Sequence, residues 1–147
     1  MGLFDKLSIR TQNDVTLSPA EAFAAITLAS VAADGYLTDE EIQTMMASLS
    51  RMHLFRSYPN DVIRRMFDKL CGMIKRQGFD DFIKTAIAAL PHDLYDTAFA
   101  VATDLILADG QVTKEEEDLL NVLWSNLEIP DETARSIVNV MIIKNKG

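Results

Sequence analysis

Apolar residues recur at helical spacing along nearly the whole chain, and no segment shows the sustained alternation of apolar and polar positions that is typical of a strand. Two stretches, residues 22–33 and residues 94–108, are apolar on nearly every face. A helix of this kind belongs in the middle of a bundle, because each of its faces needs a packing partner. The pattern therefore predicts an all-α fold with these two helices at its centre.

Capping residues, glycines and prolines divide the chain into about seven helices. In the first half, the expected boundaries are a capping box from Ser18 to Glu21, a stop at Asp34-Gly35, a second start at Thr38 and a third at Pro59. Later come a short helix near Asp80 to Leu90, a helix from about Leu94 to Ala108, and starts after Thr113 and Pro130. The 147 residues, of which 48% are apolar, suit a single-domain helical bundle with one core.

One turn sequence occurs twice at an offset of 75 residues. Ala33, Asp34, Gly35, Thr38, Glu40 and Glu41 return as Ala108, Asp109, Gly110, Thr113, Glu115 and Glu116. Each copy follows one of the two all-apolar helices. We therefore expect two pseudo-twofold-related halves, about residues 18–75 and 91–145, in one helical domain of residues 18–147 that follows an N-terminal segment of residues 1–17.

Each copy of the turn looks like the second half of an EF-hand calcium loop, with an Asp, a Gly at the sharp bend and a Glu six residues after the Gly. The first and third ligand positions of such a loop would fall on Ser30 and Ala32, or on Leu105 and Leu107, where carboxylates are required. A cation would therefore need ligands from water, backbone carbonyls or the other turn. The candidate ligands are Asp34, Glu41, Asp109 and Glu116, with Glu40, Asp104 and Glu115 as additional candidates.

A structural interpretation of the same turns stands beside the cation hypothesis. Thr38 with Glu41, and Thr113 with Glu116, have the spacing of capping boxes, in which a hydroxyl and a carboxylate satisfy backbone N–H groups at a helix start. The following helices would then begin at these residues, and the glycines would end the preceding helices with a positive φ. The alternative to a cation site is thus a pair of solvated helix caps.

The other residues whose side chains could bind metal or react have simpler expected roles. Asp104 lies inside the fifth helix and needs a partner if it is buried. The partner would be a cation, or an Arg or hydroxyl group of a neighbouring helix. Alternatively, the helix face that carries Asp104 is less buried than the pattern suggests. His53 and His92 lie near helix ends without metal-ligand spacing, so we expect both at the surface. The single cysteine, Cys71, excludes an intramolecular disulfide and a cysteine metal cluster, and we expect it to be inert.

The charge and the missing motifs exclude several classes of function. Twenty-two acidic against 14 basic residues give a net charge of −8, which opposes binding to nucleic acid or anionic lipid. No apolar run is long enough to insert across a membrane, and the N-terminus lacks a signal peptide, so we expect a cytoplasmic protein. Nucleophile-base sets, His pairs and phosphate-binding loops are missing from the sequence, so we expect no enzymatic activity and no catalytic residues.

The two Ala-Asp-Gly turns with their Thr-x-Glu-Glu continuations, preceded by the segment Gly2-Leu3-Phe4-Asp5-Lys6-Leu7, resemble the TerB family of tellurite-resistance and stress-response proteins. This resemblance covers essentially the whole chain. It implies a bacterial helical bundle of two such halves, with divalent cations at Asp34 with Glu41 and at Asp109 with Glu116. Carboxylate ligands favour Ca²⁺, Mg²⁺ or Mn²⁺, and Zn²⁺ also accepts them. The resemblance further implies membrane-associated protein partners.

Two functions from different classes follow. The first is a non-enzymatic module that binds a divalent cation. The alternative is a metal-independent adaptor that docks a basic or membrane-associated partner through an acidic face, since residues 76–147 hold 13 acidic against 6 basic residues. Direct binding of the tellurite oxyanion is not expected, because the net charge is negative and the chain has no thiol pair. Any role in resistance would then be indirect.

Overall fold

The computed structural model describes residues 16–33, 37–108 and 110–146. Within these ranges the chain forms seven α-helices and no strand. They are α1 (Pro19–Ala32), α2 (Asp39–Ser50), α3 (Asn60–Gln77), α4 (Phe79–Ala89), α5 (Tyr95–Leu107), α6 (Lys114–Asn126) and α7 (Asp131–Lys144). Single 3-10 turns, His53–Phe55 and His92–Leu94, precede α3 and α5. The predicted all-α class and the number of helices are confirmed.

Helix α1 lies at the centre of the bundle. Every residue from Ala22 to Val31 is buried, and α1 packs against α2, α3, α4 and α5. Its two buried hydroxyls bond inside the helix, from Thr27 Oγ1 to the Ala24 carbonyl at 2.8 Å and from Ser30 Oγ to the Ile26 carbonyl at 2.9 Å. No polar group of these side chains is left without a partner in the core, so the predicted central position of this helix is confirmed.

Helix α5 differs from the prediction that it would also be surrounded. It packs against α1, α6 and α7, but Val101, Asp104, Leu105 and Leu107 are only half-buried. The reason is the number of neighbours: α4 packs on α1 and α3, and among the helices of the described ranges no corresponding one packs on the half-buried side of α5. Since α4 also has no counterpart in the second half, the pseudo-twofold relation between the halves stays a prediction.

The predicted helix boundaries match the structure closely. Ser18 forms a capping box with Glu21, Pro59 precedes α3, and Gly78, with φ 87°, separates α3 from α4. A residue with a side chain would be strained at this positive φ. None of the helices in the described ranges has the length and apolarity needed to cross a membrane.

We expect Phe23→Ala to lower the free energy of unfolding by about 3–5 kcal/mol, because the substitution empties a fully buried site in α1. Phe23 also makes an edge-to-face contact with Phe55, with ring centroids 6.4 Å apart. Ile143→Ala is the control, since Ile143 is 71% exposed on α7 and its truncation should change stability by less than about 0.5 kcal/mol. Urea denaturation measures both. Equal losses in the two variants would contradict the central role of α1.

The carboxylate of Glu21 links the α1 cap to α3. Burial raises the pKa of Glu21, but the Lys69 ammonium at 2.7 Å and the Ser18 backbone N–H at 3.0 Å outweigh this effect, so the pKa lies below its usual value. A carboxyl group whose pKa is lower in the folded state stabilises the fold above its unfolded pKa. This stabilisation is lost as the pH falls through the folded pKa.

Glu21→Gln should therefore lower the free energy of unfolding near pH 7, by less than about 1 kcal/mol because Lys69 is half exposed. The difference from the wild type should disappear once the pH is below the folded pKa of Glu21. Urea denaturation at a series of pH values from 7 downward measures it, with Glu132→Gln, an exposed acid in the first turn of α7, as the control. A difference that stays constant with pH would contradict the ionic contribution.

Candidate cation site at the repeated turns

Both copies of the repeated turn end in a complete capping box. The Thr38 backbone N–H donates to Glu41 Oε1 at 3.0 Å, and the Glu41 N–H donates to Thr38 Oγ1 at 3.1 Å. The second box has the same pattern, with distances of 2.9 and 3.1 Å between Thr113 and Glu116. The predicted capping boxes are thus confirmed at both positions. Each box uses Oε1 of its glutamate, and Oε2 is not part of the cap.

The two boxes differ in exposure. Glu116 is only 9% exposed, whereas the box of Thr38 and Glu41 lies at the surface. A buried carboxylate is costly without hydrogen bonds, and the Thr113 N–H supplies one. The two turns are therefore similar in hydrogen bonding but unequal in solvent access, so the glutamate of the second turn is the more shielded of the two.

Besides this pair of glutamates, five predicted ligands remain, and four of them fall into two groups. Asp34 and Asp109 lie outside the described residues, so their predicted convergence with the glutamates stays a prediction. Glu40 and Glu115 are exposed in the first turns of α2 and α6. Gly110, which follows Asp109, has φ 79°, as predicted for the glycine that ends the preceding helix.

A groove between α4 and α6 brings the two repeats near each other. It has a volume of about 550 Å³, and its lining includes Ala33 and Glu115. Ala33 immediately precedes the first Asp-Gly turn, and Glu115 is the neighbour of Glu116 in the second repeat. The end of α1 and the acidic start of α6 therefore border one opening. We call this opening the α4–α6 groove.

The floor of the α4–α6 groove is apolar and its rim is mainly acidic. Ile83 of α4 and Leu119 of α6 are buried, and Phe79 and Val122 extend the apolar lining. The charged lining residues are Asp80, Lys84, Glu115 and Asp118. The groove was not predicted from the sequence, although Val122 is an apolar residue outside the buried stripe of α6.

Among the described residues, the hydrogen-bonding and ion-pair partners of Asp104 are a lysine and an asparagine at the end of α7. Its Oδ1 lies 3.1 Å from Lys144 Nζ and accepts a hydrogen bond from Asn145 Nδ2 at 2.8 Å. The predicted alternative of a less buried face is confirmed, because the Asp104 side chain is 26% exposed. This ion pair joins the end of α7 to α5, so Asp104 has a structural role.

The structure also locates the missing EF-hand positions, the two histidines and the single cysteine. Ser30 and Ala32 lie in α1 and Leu105 and Leu107 in α5, so the missing EF-hand ligand positions are helical. His53 and His92 are exposed, as predicted. Cys71 is half-buried in α3, and burial, aided by the negative charge of Asp68, raises the pKa of its thiol. A raised pKa keeps the thiol protonated and weakly reactive at neutral pH.

The donor chemistry of the turns fits a hard divalent cation, but only in part. Glu41 and Glu116 each present a second carboxylate oxygen that the cap does not use. Within the described residues, however, no three His, Cys, Asp or Glu side chains come together as a metal-holding group. A coordination shell would therefore need Asp34 or Asp109 together with water or backbone carbonyls.

Residues 20–139 match the protein family described as tellurite resistance protein TerB. The chain belongs to this family. The match extends from α1 into α7 and includes both repeated turns, so the resemblance based on those turns is confirmed. Neither a curated protein nor a solved structure matches the chain.

We expect Thr113→Ala to lower the free energy of unfolding by about 1 kcal/mol, because the Glu116 backbone N–H would lose the hydroxyl that accepts its hydrogen bond. Thr113→Ser keeps the hydroxyl and is the matched control. Thermal and urea denaturation measure the difference. If the alanine and serine variants are equally stable, the box does not contribute to stability and the glutamate is held by other interactions.

Proposed function

We propose that this TerB-family protein is a non-enzymatic cytoplasmic module that binds a divalent cation at its repeated acidic turns. Asp34 and Glu41 supply ligands from the first turn, and Asp109 and Glu116 supply them from the second. The observation that carries this proposal is the shared groove: Ala33, next to Asp34, borders the same opening as Glu115, next to Glu116. Two turns 75 residues apart in sequence thus have neighbours at one place in the fold.

The capping boxes support the proposal because they fix the glutamates before any cation arrives. Each Oε1 is held by a threonine N–H, and this leaves Oε2 as the oxygen for coordination. A ligand that is already ordered loses little conformational entropy on binding. Acidic side chains around the two turns would otherwise repel one another, and a divalent cation offsets that repulsion.

The donor set selects the class of cation. Carboxylates, backbone carbonyls and water are the ligands preferred by Ca²⁺, Mg²⁺ and Mn²⁺. Zn²⁺ is the secondary candidate, because it accepts Asp and Glu but prefers nitrogen and sulfur ligands. The two histidines of the chain, His53 and His92, lie on the 3-10 turns and are not part of the repeated turns.

The acidic α4–α6 groove favours a second candidate function, a metal-independent adaptor. An apolar floor with acidic residues at its rim suits a partner segment that has apolar anchors and basic flanks. Such a partner would be basic or membrane-associated, and any contribution to tellurite resistance would then run through it. In this case the repeated turns act only as helix caps.

Thermal melting with and without cations tests the cation proposal. A cation that binds only the folded state raises its stability by about 2.7 kcal/mol at a concentration 100 times the Kd. We expect Ca²⁺, Mg²⁺, Mn²⁺ or Zn²⁺ at millimolar concentration to raise the melting midpoint above its value in EDTA. Titration followed by amide chemical shifts should show changes clustered at Gly35 and Gly110.

Paired variants provide the control for this measurement. Asp34→Asn with Asp109→Asn should remove the increase in melting midpoint. Asp61→Asn with Asp131→Asn makes the same charge change in the first turns of α3 and α7 and should keep it. If no cation shifts the wild-type midpoint, or if the turn variant keeps the full shift, the turns are caps alone and the adaptor function is favoured.

A further inference from the structure

Both helices that border the α4–α6 groove contribute apolar residues to its lining. On α4, Phe79, Ile83 and Ile87 lie at intervals of four positions and therefore on one side of the helix. On α6, Leu119 and Val122 line the same groove, and Val122 is 42% exposed. Eight positions of a helix correspond to about 12 Å, so the groove accepts about two turns of another helix along its length.

Three acids stand at the rim of the groove against a single lysine. Asp80, Glu115 and Asp118 are exposed, and so is Lys84. None of the three acids has an ion-pair partner among the described residues. An occupant that brings apolar side chains to the lining and a basic side chain to the rim would therefore complement both parts of the groove.

The last two turns of α7 have this composition on their exposed side. Val140, Ile142 and Ile143 are 56%, 48% and 71% exposed, and they are three of the five large apolar side chains exposed in the described part of the chain. Lys146 is also exposed, and its backbone N–H donates to the Ile143 carbonyl at 3.3 Å, so it continues the helical turn. Residues 133–146 contain no acid. From residue 140 to residue 146 a helix rises about 9 Å, which is within the length of the groove.

The opposite side of the same turn is bonded to α5 of its own molecule. Lys144 and Asn145 both contact Asp104, and α7 contributes no residue to the described lining of the groove. The end of α7 is thus held in place with Ile143 and Lys146 exposed, and a groove that it occupies belongs to another molecule. A surface that is already ordered loses little conformational entropy on binding.

We propose that the last two turns of α7 dock in the α4–α6 groove of a second copy of this chain. Val140 and Ile143 lie against the apolar lining, and Lys146 lies at the acidic rim. Four of the five exposed large apolar side chains, the three of α7 and Val122, then belong to this one contact. The inference goes beyond the cation function and does not depend on it. In the adaptor function, by comparison, another protein occupies the groove.

The net charge and the size of the contact set its strength. A charge of −8 on each copy opposes association in general, so the contact depends on local complementarity. At 0.15 M salt, charges more than about 8 Å apart are largely screened, whereas an ion pair at the rim acts at shorter range. A contact of two helical turns is smaller than the stable interfaces of about 1,200–2,000 Å². We therefore expect association towards a concentration of about 1 mM and monomers at micromolar concentration.

Sedimentation equilibrium up to about 1 mM protein, in 0.15 M salt with EDTA, tests the proposal without the cation site. We expect the average mass of the wild type to rise above that of the monomer. Val122→Lys places a charge in the lining, and Ile143→Asp removes the most exposed apolar side chain of α7. Each should weaken self-association at least about tenfold. Circular dichroism shows whether each variant is folded.

Mixing the two variants gives the sharper result. The Val122→Lys variant keeps the end of α7, and the Ile143→Asp variant keeps the groove. We expect an equimolar mixture to form a one-to-one complex at concentrations where each variant alone is monomeric. A mixture of Val122→Lys with Asp118→Lys is the control, because both substitutions are in the groove and neither variant can supply an intact one.

Charge reversal tests the role of the rim. Asp118→Lys and Lys146→Glu should each weaken self-association about threefold to tenfold, and the double variant should restore it because both charges are exchanged. Asp118→Lys changes the net charge from −8 to −6, so general repulsion alone would strengthen association. Asp68→Lys makes the same charge change at an exposed position of α3 outside the described groove lining, and it should not weaken association.

Three outcomes overturn the proposal. The first is a wild type that remains monomeric at about 1 mM, which would leave the groove to another protein. The second is self-association that persists at wild-type strength in folded Val122→Lys or Ile143→Asp, because the copies would then meet through other surfaces. The third is a mixture of these two variants, both folded, that forms no complex.

Discussion

The fold depends on one constraint, which is that helix α1 has no side suited to water. Ten consecutive residues, Ala22 to Val31, are buried, and the two polar ones, Thr27 and Ser30, bond to carbonyls of their own helix. Four helices must therefore surround α1, and they come from both repeats as well as from α4 between them. Neither half of the chain could bury this helix alone, so the repeats share one hydrophobic core.

The capping boxes connect this core to the candidate site. The box of Thr38 and Glu41 begins α2, and the box of Thr113 and Glu116 begins α6, so the residues that start these helices also hold the predicted ligands. A cation at the turns would share each carboxylate with a helix cap, Oε1 with the backbone and Oε2 with the ion. Cap and ligand are thus compatible roles of one side chain. The presence of the cap is therefore compatible with cation binding.

The sequence predicted the local structure well because its signals are local. Ser18, Thr38 and Thr113 begin helices where the spacing to a glutamate predicts a capping box, and Gly78 breaks the chain where a positive φ is needed. The exposure of α5 was not predicted, since it depends on which helices lie around it. The pattern of α5 resembles that of α1, but α4 packs against α1, and no other helix of the described ranges packs on the corresponding side of α5.

The same limit applies to the candidate site. The partner of Asp104 is 41 positions away in sequence at Asn145, with Lys144 beside it, and no spacing rule connects them. The α4–α6 groove likewise consists of residues from α1, α4 and α6, and only their packing brings them together. Spacing identified the acidic turns because each is a single stretch of chain. Their neighbourhood depends on tertiary structure.

The unequal burial of the two glutamates gives the repeats different parts in any shared site. Glu116 is 9% exposed and lies beside Glu115 at the α4–α6 groove, whereas the Glu41 box is solvated. Electrostatic interactions are stronger where water is excluded, so a cation would gain more from the second turn than from the first. Solvation of the first turn makes exchange of its ligands with water easier. In the cation site proposed above, Glu116 would therefore be the more strongly held ligand, even though the sequence motifs of the two turns are nearly identical.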